Sequence, residues 1–272
     1  MIVDFHIHST YSDGVYTPKE LVSFAEHGQL GMIALTDHDE IAGIKPMKAY
    51  ATSIDIVTGA EFSADYKGKD IHVLGYEFNC DDRELREYIS YYQQARRQRI
   101  KAMIDLCQKA GYCIDYDELV RLFPTTKALG RPHVAQLLMK KGYAESINFI
   151  FKHIVNPSGP CYVPKVKTSV EQVIEQIHHA GGLAVLAHPK LIHNDTYVEE
   201  LLHFSFDGIE VYHSKHDDED VKRYRIVAEQ RGLLITGGSD FHGINHTWPT
   251  YIGEYTVQSR DVEKFIQVLR TI

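Results

Sequence analysis

No run of the 272-residue sequence approaches the roughly 20 apolar residues that a membrane-crossing helix needs, and its C-terminal half carries no lipidation signature. A membrane role is not expected. Cysteine is scarce, and Cys80, Cys107, Cys113 and Cys161 show none of the paired spacings of thiolate metal sites. The chain opens on a strand-like MIVDFHIH without a leader pattern, so a reducing cytoplasm is the expected compartment. Excess positive charge is also lacking. The formal net charge is -8, so a phosphate or nucleic-acid substrate must be attracted locally rather than by the field of the whole molecule. No repeat of fixed period is evident. What is present is 44% hydrophobic residues, enough for one large domain or a domain carrying an insert, and sixteen histidines.

Short apolar runs alternate with helical patterns. IVDFHIH, GMIALTDH, DIVTGAEF, DIHVLGYEF, LAVLAHP, GIEVYH and LLITGGSD read as strands, and their alternation with helices predicts an α/β sheet or barrel. In TPKELVSFAEHGQ, Thr17 can cap a helix with Pro18 at its first position and Glu20 three residues on. SVEQVIEQIHHAGG repeats the design and stops at Gly181-Gly182. Residues 81–164 differ: DRELREYISYYQQARRQRIKAMIDLCQKAG, DYDELVRLF and RPHVAQLLMKKGY are amphipathic helix patterns with no buried strand among them. The expected organisation is a barrel formed by 1–80 and 165–272, interrupted by a helical insert at 81–164 that covers the active site.

His6 and His8 end the first strand, and alternation along a strand puts both imidazoles on one face. An isolated pair of this kind is more often buried and satisfied by backbone. Here Asp13, the run Asp37-His38-Asp39, Glu61, His72, His188, Asp240 and His242 all stand at or near strand ends. In a βα barrel such ends share one rim. Each carboxylate and imidazole would otherwise need its own buried partner, and an unpaired buried carboxylate is costly. The donors are nitrogen and oxygen without thiolate, which suits zinc, iron or manganese.

The blocks DFHIHSTYSDG, LTDHDE, LAHP and GGSDFHG, completed by GAEFS and the strand bearing His72, resemble those of the PHP family, the polymerase-and-histidinol-phosphatase phosphoesterases. The resemblance spans nearly the whole chain. It implies a distorted (β/α)7 barrel with a helical insert and three divalent metal ions (manganese, iron or zinc). His6, His8, Glu61 and Asp240 would hold one ion. Glu61 would bridge to a second at His72 and His188, and Asp13, His38 and His242 would hold the third. Within the family, STYSDGVYTPKELV with an insert is most similar to the stand-alone nucleotide phosphatases and 5'-3' exoribonucleases. Histidinol-phosphate phosphatases open differently.

A multinuclear site would acidify a bridging water for attack on phosphorus. The substrate is then expected to be a small phosphorylated molecule such as a nucleoside 3',5'-bisphosphate, with a short RNA as the alternative. No obligate protein partner is indicated. Ser12, Arg131 and Lys165 are the candidates for holding phosphate, by their places next to Asp13, at the start of an insert helix and at the return to the barrel. His213 could protonate the leaving oxygen. His133 is either buried in the insert or functional, and His178-His179 lie on an outer helix face. Arg96-Arg97-Gln98-Arg99 reads as a solvated face, with Tyr88, Tyr91 and Tyr92 as packing residues rather than base-stacking ones. A metal-stabilised binding module is disfavoured by the full ligand set.

Overall fold

A computed structural model describes residues 1–243 and 248–272. The strands are β1 Ile2–Ile7, β2 Leu30–Leu35, β3 Asp55–Tyr66, β4 Lys69–Tyr76, β5 Leu183–Leu186, β6 Gly208–His213, β7 Leu234–Gly238 and β8 Val257–Gln258. The α-helices are α1 Pro18–His27, α2 Ile44–Tyr50, α3 Arg83–Lys109, α4 Tyr116–Leu122, α5 Arg131–Lys140, α6 Ile147–His153, α7 Val170–His179, α8 Asp195–Leu201, α9 Asp218–Arg231 and α10 Glu263–Leu269. The caps expected for α1 and α7 form: Thr17 with Glu20, and Ser169 with Gln172, make reciprocal capping boxes.

One sheet runs in the order β7-β6-β5-β4-β3-β2-β1-β8. It curls until β1 meets the end of β7, where the Asp240 N–H donates to the His6 carbonyl at 2.8 Å and the His8 N–H to the Phe241 carbonyl at 2.9 Å. Seven strands thus close the distorted barrel, and β8 is a two-residue antiparallel addition to β1. Closure requires glycine at Gly238, where a Cβ would fall 2.4 Å from the His6 backbone nitrogen. One strand differs from expectation. β4 runs antiparallel to both β3 and β5, so His72 reaches the rim from the beginning of its strand rather than from its end.

The barrel interior is filled by Val3, Phe5, Met32, Ala34, Leu74 and Val185, and α10 closes it with Phe265 and Ile266. Ile7, Ile33 and Leu35 belong instead to the core shared with the outer helices. A register irregularity in β1 between Asp4 and Ile7 marks the change. Beyond it, His6 and His8 face the site while Ile7 packs outward.

After β4 the chain enters helices. The first turns of α3 still belong to the barrel core through Leu85 and Ile89. Its second half joins α4, α5 and α6 around a separate core containing Ile100, Met103, Leu119, Leu137 and Ile150. Polar links from several residues tie this unit to the barrel rim. Arg96 Nε donates to Asp39 Oδ2 at 2.9 Å, and Arg96 Nη2 donates to Ser63 Oγ at 2.9 Å. His133 Nε2 donates to the Ser12 carbonyl at 2.8 Å, and Thr126 Oγ1 to the Thr10 carbonyl at 2.8 Å. Arg96 therefore corrects the expectation of a solvated basic face: Tyr92, Arg96 and Arg99 share the inward side of α3, leaving Arg97 and Gln98 exposed.

Burial opposes ionisation of Asp39, but the Arg96 guanidinium outweighs it and holds the carboxyl below its ordinary value. A depressed folded-state value means that the pair's contribution is complete at neutral pH and is lost as pH falls through that value. Arg96→Ala, which strands Asp39, should cost about 3–5 kcal/mol of stability at pH 7. The gap to wild type should narrow below about pH 4, where the unpaired carboxyl is neutralised. Urea unfolding at a series of pH values measures both; a gap independent of pH would refute the pairing.

Candidate metal centre

Glu61 sits in the continuous strand β3 with its side chain buried, and five imidazoles surround it. Oε2 lies 3.2 Å from His6 Nε2, 3.2 Å from His8 Nε2 and 3.1 Å from His38 Nδ1. Oε1 lies 2.6 Å from His72 Nδ1 and 2.9 Å from His188 Nε2. Asp240 Oδ1 completes the first set, 3.4 Å from His6 Nε2 and 3.3 Å from His8 Nε2. A second set gathers His8, Asp13, His38 and His242, with Asp13 Oδ1 3.3 Å from His242 Nε2. All nine side chains expected as ligands stand in this one cluster.

These residues fit metal ions by their geometry and by their unmet bonding. Ligand atoms bound at about 2.0–2.2 Å in a tetrahedral arrangement lie about 3.4 Å apart, the spacing found among His6, His8 and Asp240. The buried atoms His8 Nε2, Asp13 Oδ1 and His38 Nδ1 have no hydrogen-bond partner among the described residues. His72 Nδ1 and His188 Nε2 approach each other to 3.3 Å while both point at one carboxylate oxygen. Polar atoms buried without partners are costly, and shared cations would satisfy them together.

Charge follows the same arrangement. Burial opposes ionisation of Glu61, but His72, His38 and His6 outweigh it and hold the carboxyl well below its ordinary value. Asp13 and Asp240 are likewise lowered against burial, the first by His38 and His242, the second by His6 and His242. The carboxylates are thus held in the ionised, ligand-competent form.

Supporting groups fix the donors. Glu210, fully buried in β6, places Oε1 2.9 Å from His6 Nδ1 and accepts the His188 N–H on Oε2 at 2.8 Å. This orients His6 with Nε2 toward Glu61 and Asp240. Asp37, named only as a companion in LTDHDE, accepts from the Ser9 N–H and both the Ser9 and Ser12 hydroxyls. Asp39, His188 and Asp240 adopt φ of 47°, 24° and 55°. Non-glycine residues held at positive φ store backbone strain, and here all three stand on the rim.

The expected substrate residues divide. Arg131 and Lys165 line a cleft of about 190 Å³ together with Asp13, His38 and His72. Ser12 does not face that cleft: it is 1% exposed and its hydroxyl donates to Asp37 at 2.5 Å. His213 is fully buried; its Nδ1 accepts the Lys215 N–H at 3.0 Å, and Nε2 faces Asp240 Oδ2 at 3.4 Å. His133 is satisfied at both nitrogens, by Gly130 and Ser12. His178 pairs with Asp207 on the outer surface, Tyr92 is buried and Tyr91 is exposed. Sequence reasoning passed over Glu210 and Asp70, and read Arg99 as part of a solvated face although it is buried. The single acid in GIEVYH was the available sign of the first; Tyr92, Arg96 and Arg99 at helical spacing were that of the last.

Known proteins are similar to this chain in sequence and in fold. The 5'-3' exoribonuclease Rnm of Escherichia coli is 31% identical over 89% of this chain and 85% of its own length. A 3',5'-nucleoside bisphosphate phosphatase of Chromobacterium violaceum is 29% identical over 88% of this chain and 87% of its own. A solved structure from Bifidobacterium adolescentis superposes with a TM-score of 0.87 at 27% identity, covering 98% of this chain and 96% of the other. Residues 4–225 match the PHP domain, a span that holds all the expected ligands except Asp240 and His242, and with the matching relatives it shows that the chain belongs to the PHP domain family.

Proposed function

We propose that the chain hydrolyses a phosphate monoester of a nucleotide, such as a nucleoside 3',5'-bisphosphate, at a centre of three divalent cations drawn from manganese, iron and zinc. The convergence of nine nitrogen- and oxygen-bearing side chains, with Glu61 at their centre, carries this reading. His6, His8, Glu61 and Asp240 would hold one cation, Glu61 with His72 and His188 a second, and Asp13, His38 and His242 a third. Bound there, such ions neutralise charge on phosphoryl oxygens and acidify the attacking water. The chain's own residues place the phosphate. Arg131 offers a planar fork of donors and Lys165 a point charge, both beside His38 and His72.

His213 supports Asp240 in this reading instead of donating a proton to the leaving group. With Nδ1 accepting from Lys215, its proton resides on Nε2, toward Asp240, and no ring atom is exposed to a substrate. Ser12 acts one step back as well, steadying Asp37 beneath the loop that carries Asp13. The four cysteines are free thiols, which suits a cytoplasmic enzyme.

Trimming of RNA from its 5' end is the second reading, favoured by the likeness to Rnm. Both readings use the same donors and differ in what the helical unit admits above them. With added manganese, the purified protein should release phosphate from a nucleoside 3',5'-bisphosphate faster than it releases nucleotides from a 5'-phosphorylated RNA. The reverse order selects the second reading, and no product from either, or from histidinol phosphate, refutes both.

His38→Ala should lose bound metal and activity together, read by elemental analysis and initial rates. Arg131→Ala should keep its metal and raise KM about 10- to 100-fold, since a hydrogen bond to a charged group contributes about 1.5–3 kcal/mol. A wild-type KM in that variant would remove Arg131 from phosphate binding. Glu210→Gln should weaken metal affinity about 10- to 100-fold while the fold is retained, as circular dichroism would report; unchanged affinity would deny Glu210 its orienting role.

A further inference from the structure

A groove of about 810 Å³ lies between α2 and the first half of α3, on a side of the barrel that the chemistry above does not use. Lys45 and Lys48 come to it from α2, and Arg86 and Gln93 from α3. Ile44, Phe78 and Ile89 also line it, and all three are buried, so its inner wall is apolar. Lys127 stands in its lining, and the next residue, Ala128, lines the metal cleft. Gln93 likewise lines the groove while Arg96, about one turn further along α3, lines the cleft. Groove and cleft are thus neighbours, divided by that turn and by the pair of Arg96 with Asp39.

The groove's positive charge is not balanced within the protein. Lys45, Lys48 and Lys127 are exposed, and among the described residues none has a carboxylate within ion-pair distance. Lys48 Nζ donates to the Thr58 hydroxyl at 2.6 Å. The two carboxylates in the walls are occupied. Asp81 pairs with Arg86. Glu40 is 2% exposed and accepts the Ile41 and Ala42 N–H groups, each at 2.8 Å, and the Gln93 amide at 3.1 Å. Three ammonium groups therefore border an apolar wall in a chain of net charge -8. Like charges gathered on one surface repel one another, and an anion laid along them removes that cost. Cations along a margin with apolar surface behind them suit a single nucleic-acid strand, its phosphates on the cations and its base faces on the wall.

We infer that this groove carries the 3' portion of a single-stranded RNA whose 5' end occupies the metal cleft, with Lys45, Lys48 and Lys127 contacting its phosphodiesters. The inference rests on the second reading above, trimming of RNA from its 5' end. It adds a surface outside the cleft that a lone nucleotide does not use. Contacts to backbone charge carry no sequence information, so the groove selects for length rather than for base.

Binding is measured by fluorescence anisotropy with manganese-loaded protein and 3'-labelled oligoadenylates of two and eight nucleotides, made non-hydrolysable by a 5'-terminal phosphonate and methylenephosphonate linkages. Wild type should bind the octamer at least about tenfold more tightly than the dimer. Lys45→Gln/Lys48→Gln/Lys127→Gln should abolish most of that ratio. The same variant should lower the slope of log affinity against log salt by about 2, since each single-strand phosphate contact contributes about 0.7. Its KM for a nucleoside 3',5'-bisphosphate should equal that of wild type. A control with the same change of charge elsewhere, Lys109→Gln/Lys140→Gln/Lys264→Gln, should keep wild-type octamer binding. No length dependence in wild type, an equal loss in both triple variants, or displacement of the octamer by oligoglutamate at equal concentration of charge overturns the inference. Hydrolysis is followed separately. Length-dependent binding without turnover of any nucleotide refutes the phosphoesterase reading and leaves the groove standing, whereas RNA trimming untouched by the groove substitutions does the reverse.

Discussion

A carboxylate fully withdrawn from water at the centre of five imidazoles is the constraint on which this structure turns. Burying Glu61 alone would be prohibitive, and its ionised form is tolerated because positive charge can be brought to both oxygens. The barrel supplies the means. His6 and His8 come from β1, His38 from the end of β2, His72 from the start of β4 and His188 from the end of β5, so no single local segment could build the set. Closure of β1 against the end of β7 through the His6 and His8 backbones then brings in Asp240. Fold and site are in this sense one arrangement: the hydrogen bonds that complete the barrel also fix two of its central donors.

The helical unit is tied to that rim by hydrogen bonds to backbone and by an ion pair. Arg96 reaches Asp39, the neighbour of His38, and His133 and Thr126 hold the carbonyls of Ser12 and Thr10 in the loop carrying Asp13. Both attachments end within one or two residues of a proposed ligand. Movement of the unit therefore cannot be independent of ligand geometry, and it carries Arg99 and Arg131 in a set relation to the metal cleft.

Much of this was legible in the residues, for identifiable reasons. Apolar runs ending in His, Asp or Glu announce a rim of donors because strand periodicity and barrel direction are strong constraints, and the capping residues of α1 and α7 stood in plain view. What escaped depends on partners distant in sequence. The direction of β4 is set by pairing with β3 and β5, and the run DIHVLGYEF is compatible with either direction. Ser12 beside Asp13 suggests a phosphate donor until Asp37, 25 residues away, is seen to take its hydroxyl. Arg96 and Arg99 look solvated as a charge run; their inward face is decided by Asp39 and Tyr162, which no local pattern joins to them.

The division of charge explains how one acidic protein can serve a phosphorylated substrate. On the proposed function, Asp13, Glu61 and Asp240 would act as ligands to cations rather than as a repulsive field. The cations of the chain are set just beyond, on Arg99, Arg131 and Lys165, where phosphate oxygens not in contact with metal would lie. Asp70 stands between the two regions, close to His72 on one side and paired with Lys165 on the other. Loss of that carboxylate would free the lysine and loosen His72 at once. On the proposed function, metal binding and anion binding would thus be coupled through Asp70, and the groups that hold the substrate would come from elements other than those that hold the metal.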